Sequence, residues 1–347
     1  MEAPSILQKD VTLAPHTTFQ IGGPAEYFAV VTDPAELSGL CRYAAEWNLP
    51  ITIIGGGSNL LVADAGISGL VVQMALRGRQ VTEVDESTVL VTYAAGESFD
   101  AVVADTVDAG WWGLENLSHI PGSVGATPVQ NVGAYGVEVA DVIDAVDVYD
   151  RETDTCTTLS PTMCQFTYRG SVFKQPAGHR YIITAVTFRL STEPRPQLRY
   201  ADLQSLATES AVTQHMIRER VITVRAGKFP DWTWVGTAGS FFKNPIVSAA
   251  QTEQLQSAYP EIPVHAMTDG TYKVALGWLL DRVCGLRGYQ VGPVGTHAAQ
   301  ALVVVNHGGA TAADVVRLAD EITKTVYEKT GVTIEWEVTR LPHAGNV

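Results

Sequence analysis

From residue 116 to residue 136 the chain reads Asn-Leu-Ser-His-Ile-Pro-Gly-Ser-Val-Gly-Ala-Thr-Pro-Val-Gln-Asn-Val-Gly-Ala-Tyr-Gly, without a single Asp, Glu, Lys or Arg. Glycine weakens helix and strand alike, and proline removes a backbone donor, so no regular element runs through this stretch. It is nevertheless not hydrophilic. An irregular segment of this length is uncommon in a compact domain unless it is functional. Two readings fit. An uncharged, glycine-rich loop can wrap a neutral planar ring and offer it backbone donors and acceptors. Alternatively, the segment is a buried crossover in which His119 simply packs.

The flanking chain alternates helix and strand patterns. Asp33-Pro34-Ala35-Glu36 is a helix start, with Asp as N-cap, Pro in the first turn and Glu third. Leu37, Leu40, Cys41, Ala44 and Ala45 recur at helical spacing to about Trp47. A short β-branched strand at residues 51–54 then runs into Gly55-Gly56-Gly57-Ser58-Asn59-Leu60-Leu61. Consecutive glycine N–H groups can form an anion-binding nest, with Ser58 and Asn59 adding side-chain donors. A tight turn is the plainer alternative. The loop is not a dinucleotide fingerprint, because Leu60 stands where that motif needs a small residue.

Further strands are expected at residues 69–74, 89–93, 142–149 and 181–190, with a helix at 99–109. In the C-terminal third, helices are expected at 249–259, at 274–284 ended by Gly285, and from Thr311 (with Asp314 three residues on) to about Lys329, ended by Gly331. Strands are expected at 301–306 and 332–338. In the last of these Glu335 and Glu337 share a face.

The 347 residues exceed the size of one ordinary hydrophobic core, so two or three subdomains are expected. Apolar content of 46% and charged content of 17% describe a globular chain. Neither a signal-peptide pattern nor an apolar run of membrane-spanning length is present, which places the protein in the cytoplasm. Cys41, Cys156, Cys164 and Cys284 lack metal-binding spacing and read as reduced and buried, with no metal site. The formal charge of −14 argues against nucleic acid or acidic membranes as partners. Any anionic ligand must then meet a local group of cations.

Residues 236–245, Gly-Thr-Ala-Gly-Ser-Phe-Phe-Lys-Asn-Pro, offer one hydroxyl (Ser240), one amine (Lys243) and one amide (Asn244), with Phe241 and Phe242 able to exclude water. Arg169, beside Tyr168 and near Phe166 and Phe173, can form an oriented cation for a carboxylate. A strand end closed by Pro245 and a surface arginine remain the plainer alternatives.

Taken together, residues 54–61, residues 113–136, Tyr168-Arg169, residues 238–245 and Glu335-Trp336-Glu337-Val338 closely resemble the UDP-N-acetylenolpyruvoylglucosamine reductases, the MurB family of bacterial cell-wall flavoenzymes, in its type I branch. The resemblance covers almost the whole chain. It implies an α+β protein with a two-subdomain FAD-binding fold like that of vanillyl-alcohol-oxidase-type (PCMH-type) flavoproteins, plus a C-terminal α/β substrate-binding domain. The implied parts are FAD-binding subdomains at 1–72 and 73–226, a substrate domain at 227–335, and a segment at 336–347 that returns to the active site.

The same resemblance implies FAD contacts from Gly55, Gly56, Gly57, Ser58, Asn59, Leu60, Asn116, Ile120, Pro121, Gly122, Ser123, Gly125, Ala126 and Gly133. It implies UDP-N-acetylglucosamine enolpyruvate and NADPH as substrates of a bacterial, cytoplasmic monomer. Ser240 matches the family's general acid, Arg169 its carboxylate-binding arginine and Glu337 its active-site glutamate. Tyr200, Lys228, Asn244, Arg287 and Gln300 match its substrate contacts. Lys228, Lys243 and Arg287 would supply the local positive site for the diphosphate. His265 stands where one branch has a tyrosine. Thr339 shifts Arg340 by one position, which turns it to the opposite face of a strand. The rival reading on the same fold is an FAD-linked oxidase acting on an alcohol with oxygen. A third is a non-catalytic nucleotide-sugar binder.

Overall fold

The computed structural model describes residues 2–342, so Met1 and residues 343–347 of the expected C-terminal segment lie outside the described residues. The chain forms two compact units. The first takes residues up to Val11, Ala25–Gly56 and Ser68–Arg225; the second takes Thr12–Pro24, Gly57–Ile67 and the chain from Ala226 onward. α+β architecture holds in both.

In the first unit, one sheet runs in the order Gln8–Thr12, Pro24–Val31, Ile67–Met74, Ile51–Ile54. Its last two strands are parallel, with Ile53 opposite Val72. The helix Glu36–Glu46 begins two residues later than read, with Ala35 rather than Asp33 at the N-cap position, although Asp33 and Glu36 still bond to the backbone before it. Glu36 Oε2 accepts from the Thr32 and Asp33 amides at 2.9 and 3.1 Å, and Asp33 Oδ1 accepts from Ala35 N at 2.9 Å. Leu37, Leu40 and Ala44 then pack with Val31, Leu70, Val72 and Met74. Fully burying each such leucine contributes about 1.5–3 kcal/mol.

A second sheet is antiparallel, in the order Thr155–Leu159, Ile143–Asp150, Tyr181–Ser191, Thr88–Ala94, Arg79–Asp85. The helix Phe99–Asp108 lays Phe99, Val102, Val103 and Val107 onto it, in one cluster with Leu114, Leu117 and Val124. That cluster fixes the uncharged segment. Its backbone is tied down as well: Val124 N donates to Glu97 O and Gly125 N to Ala95 O, each at 2.9 Å. Two single 3₁₀ turns (Glu115–Leu117, Val124–Ala126) and a short pairing of Gly133–Ala134 with Val137–Glu138 are its regular structure. His119 is exposed rather than packed. Cys156 is likewise exposed, against the expectation that all four thiols are buried.

In the second unit, an antiparallel sheet runs Gly236–Ser240, Val303–Asn306, Val294–Thr296, Gln290–Val291. A smaller one runs Ile246–Val247, Tyr272–Val274, Val264–Ala266. The helix Ala312–Thr330 carries the expected capping box: Thr311 Oγ1 accepts from Asp314 N at 3.1 Å, and Asp314 Oδ2 accepts from Thr311 N at 2.9 Å. Gly331 ends it at φ +68°. Asp64 adds a second cap, accepting from Ala312 N at 2.7 Å and Ala313 N at 3.0 Å. The helix Ala249–Ala258 forms as expected, capped by Ser248.

Two expected elements differ. Residues 274–284 do not form one α-helix. A single turn at Leu276–Trp278 passes into a π-helical turn at Leu279–Val283, where Cys284 N reaches back to Leu279 O at 2.9 Å. Nor do residues 332–338 form a full strand. Val332, Ile334 and Val338 are buried and alternate as read, but one bridge, Phe242 to Trp336, is the pairing. Beyond it the ladder cannot grow: Asn244 turns away to cap Leu276 N at 3.0 Å, and Pro245 has no N–H to give. The strand proper is Thr339–Leu341, parallel to Leu60–Val62.

Candidate active site

In the first unit the glycine loop meets the uncharged segment. A Cβ placed on Gly55 would lie 2.1 Å from Ser123 Oγ, and one on Gly56 would lie 2.9 Å from Gly122 Cα. Gly56 faces backbone, and at Gly55 the Ser123 side chain would have to move aside. Ser123 and Asn116 are buried, at 6% and 1% exposure. Asn116 Nδ2 donates to Tyr135 O and Gln197 O, each at 2.9 Å. Its Oδ1, and Ser123 Oγ, are buried without a hydrogen-bond partner among the described residues. Leaving such groups unmatched costs about 1–3 kcal/mol each. A flavin ring edge carries both donors and acceptors, so an orphan acceptor and an orphan hydroxyl beside a glycine cradle fit FAD. Ile120, Pro121, Gly122 and Ala126 are half-buried around them.

Gly133 stands beside Arg169, where a Cβ would lie 3.4 Å from Nη1. Arg169 is half-buried at φ +54°, its guanidinium carbon 5.6 Å from the Tyr168 ring centroid. Tyr200, 43% exposed, meets Tyr135 edge-on with ring centroids 5.1 Å apart. Tyr135 was not singled out in the sequence, although it is the one large aromatic of the uncharged segment. Burial pushes its hydroxyl up to about 12 despite the opposing charge of Arg225. Burial also lowers the Arg225 guanidinium, which donates from Nε to His119 O at 2.9 Å. Glu115 was missed too: it is 1% exposed, burial raises its carboxyl pKa, and Oε2 accepts from Gly113 N at 2.7 Å.

In the second unit the third glycine, Gly57, packs elsewhere: a Cβ there would lie 2.1 Å from His16 O. Asn59 Nδ2 donates to Glu337 O at 3.1 Å, and Thr339 N donates to Asn59 O at 2.9 Å. Leu60 pairs with Thr339. The chain end is seated on the other side by the serine segment. Glu337 N donates to Phe241 O at 2.8 Å and Lys243 N to Glu335 O at 2.9 Å. Glu337 thus stands opposite the residue that follows Ser240. Phe241 and Phe242 are buried in the core of this unit, and Phe241 packs edge-on against Trp336 at 4.7 Å.

The remaining predicted contacts are distributed over the same unit. Lys243 Nζ is ion-paired to Glu335 Oε2 at 3.0 Å, so a carboxylate partly offsets its positive charge. Glu335 is mostly exposed while Glu337 is half-buried. Arg287, exposed, lies 3.3 Å from Asp281. Gln300 Oε1 accepts from Leu302 N at 3.3 Å and packs on Gly277. Asn244 uses Oδ1 on Leu276, which leaves its amide hydrogens for other partners. Lys228 and Ser58 are half-buried. Arg340 is exposed and borders a cleft with Asp64 and Arg317. Among the described residues no cluster of His, Cys, Asp and Glu could hold a metal, and no helix is long and apolar enough to cross a membrane.

Comparison with known proteins adds the following. The family model for the C-terminal domain of UDP-N-acetylenolpyruvoylglucosamine reductase matches residues 231–341, and that for an FAD binding domain matches residues 25–160. The chain is 43% identical over 334 residues to the UDP-N-acetylenolpyruvoylglucosamine reductase of Pseudomonas aeruginosa, covering 95% of this chain and 98% of that one. It is 43% identical over 336 residues to the enzyme of the same name from Bdellovibrio bacteriovorus, covering 96% and 99%. The solved structure of the reductase from Thermus caldophilus superposes with a TM-score of 0.67 at 26% identity, over 96% of this chain and 98% of that one.

Proposed function

The chain belongs to the UDP-N-acetylenolpyruvoylglucosamine reductase family, and from that premise we propose how its residues carry out the NADPH-dependent reduction of the enolpyruvyl group of UDP-N-acetylglucosamine enolpyruvate to UDP-N-acetylmuramate. Bound FAD supplies the two-electron chemistry between NADPH and the enolpyruvyl ether. In the first unit Gly55, Gly56, Asn116, Ile120, Pro121, Gly122, Ser123, Gly125, Ala126 and Gly133 would hold it; the family pattern also assigns Gly57, Ser58, Asn59 and Leu60 to FAD. The first unit has two hydrophobic clusters, one built around residues 29–76 with Tyr149 and Ile182 and one within residues 89–190, which supports two subdomains.

Hydride addition to the vinyl carbon leaves negative charge on the adjacent α-carbon and the carboxylate. Arg169 binds that carboxylate, held in orientation by its aromatic neighbour. Ser240 delivers the proton to the α-carbon. A serine hydroxyl is a weak acid, but an enolate-like carbon is a strong base, so the transfer runs downhill once charge has developed. Glu337 shares a proton with the carboxyl end of the substrate. Tyr200, Lys228, Asn244, Arg287 and Gln300 position the UDP-sugar. The enzyme acts as a monomer in the bacterial cytoplasm.

The observation that carries this reading is the backbone pairing that seats Glu337 across from Phe241, next to Ser240. Its test is anaerobic. NADPH should bleach the flavin of a Ser240→Ala variant at the wild-type rate, while re-oxidation by the enolpyruvyl substrate should slow by about 10²–10⁴-fold, the usual contribution of a positioned proton donor. Unchanged re-oxidation would remove Ser240 from the mechanism.

A further inference from the structure

Both amide hydrogens of Asn116 are in use, one on Tyr135 O and one on Gln197 O, at 2.9 Å each. The reverse orientation would set Oδ1 against two carbonyl oxygens, so those carbonyls decide which way the amide faces. Its Oδ1 is then the end turned elsewhere, in a side chain 1% exposed, and it has no partner among the described residues. A buried acceptor so placed is offered to a donor from outside the chain.

The two carbonyls belong to the two sides of one aromatic pair. Tyr135 meets Tyr200 edge-on with ring centroids 5.1 Å apart, and Gln197 stands three residues before Tyr200. Between Ser191 and Tyr200 runs a strap, Thr-Glu-Pro-Arg-Pro-Gln-Leu-Arg, exposed over residues 192–197 and irregular over 194–199. Pro194 and Pro196 have no N–H, so the strap is poor in backbone donors and suited to being tied through its carbonyls. Leu198 packs on the cluster of Trp112, Tyr135, Leu203, Ile217 and Val221, and Asn116 draws in the residue before it.

We propose that Asn116 is a positioning residue that couples bound flavin to the Tyr200 strap. A flavin donor on Oδ1 fixes the amide, and the fixed amide holds Gln197 and, through it, the placement of Tyr200 for the UDP-sugar. The proposal rests on the reductase reading, which supplies both the flavin and the substrate contact of Tyr200. An amide with an unmatched Oδ1 gains by turning toward water, and turning breaks both of its other bonds at once; a donor on Oδ1 removes that gain. The coupling is reciprocal, so whatever holds the strap also tightens flavin.

The test reads the strap directly, by trypsin cleavage of the full chain with and without FAD. Arg199 is exposed, and Arg195 is followed by proline, which protects its bond, so the strap should be cut after Arg199. FAD should slow that cut by about tenfold in the wild type, the worth of one ordered hydrogen bond. In Asn116→Ala, saturating FAD should leave the cut at the flavin-free rate, with FAD itself bound about tenfold more weakly. Asn116→Asp keeps an acceptor and loses both donors; it should retain most of the FAD affinity, yet be cut at the flavin-free rate, and it serves where the alanine variant fails to fold. KM for the UDP-sugar should rise in Asn116→Ala and rise no further when Tyr200→Ala is added. Equal protection of Arg199 by FAD in wild type and Asn116→Ala overturns the coupling, as does protection in neither, or a KM that rises by the product of the two single effects. Wild-type FAD affinity in Asn116→Ala overturns the flavin contact. Each of these leaves the reductase reading standing, whereas wild-type protein that binds no FAD overturns that reading itself.

Discussion

Gly55→Ala inserts one methyl group where the structure leaves no room for it. The added carbon would sit 2.1 Å from Ser123 Oγ, 3.3 Å from Ser123 Cβ and 3.7 Å from Ala126 Cβ. The first contact is impossible without movement, the second is tight, and the third is ordinary. Ser123 is buried and its neighbours are tied to Glu97 and Ala95 by backbone bonds, so the loop cannot simply swing away. Overpacking of this kind costs about 1–3 kcal/mol. For a unit of this size that corresponds to a fall in Tm of about 2–4 °C per kcal/mol. Ser123→Ala separates the two roles of the hydroxyl. Removing an orphan buried hydroxyl should leave flavin-free protein as stable as wild type or more so, while flavin is released more readily on desalting. The double variant then decides the matter. With the oxygen gone, the nearest obstacle to the Gly55→Ala methyl is the Cβ at 3.3 Å, so most of the lost stability should return. Thermal unfolding of flavin-free protein followed by circular dichroism gives all four corners of the cycle. A double variant no more stable than Gly55→Ala alone would refute the claim that this contact is what requires glycine.

Two further perturbations test other parts. Asp64→Ala removes both bonds that Asp64 makes to the start of the helix Ala312–Thr330; a cost of about 1–2 kcal/mol in urea unfolding is expected, with Asp64→Asn losing less. Asp154 is held at a pKa of about 2 by the Tyr149 hydroxyl first, then by Arg42 and Ser38. A folded value below the ordinary one contributes stability that is complete above about pH 4 and is lost as pH falls toward 2. Asp154→Asn should therefore flatten the acid limb of an unfolding-versus-pH curve and leave the slope above pH 5 unaltered.

Local signals were legible in the sequence wherever cause and effect lie within a few residues. Thr311 with Asp314 and Gly331 each produced the helix end read from them, while the start read at Asp33 moved two residues on to Ala35. The uncharged segment was readable as a special loop because so many glycines and prolines exclude regular structure. What could not be read are bonds between distant residues. Asn59 reads as a phosphate donor in a glycine loop, yet its amide reaches Glu337, 278 positions away. The three glycines look like one motif, but Gly55 and Gly56 answer to residues 122 and 123 while Gly57 answers to residue 16. The segment 332–338 has the alternation of a strand, and only Asn244 and Pro245, remote in sequence, stop its ladder. Ser240, Arg169 and Glu337 were nameable from the family pattern alone; no periodicity distinguishes Glu337 from Glu335.

The second unit is assembled from three pieces of chain, and its last strand, Thr339–Leu341, lies along Leu60–Val62, made some 280 residues earlier. On a ribosome adding about 5–20 residues per second, residues 57–67 wait tens of seconds for that partner, and Asn59 waits as long for Glu337. A chain stopped before residue 337 would keep Gly55 and Gly56 against residues 122 and 123 and lack the glutamate. A fragment beginning at residue 226 would lack two of the three pieces of its unit, and with them the strand on which Thr339–Leu341 lies.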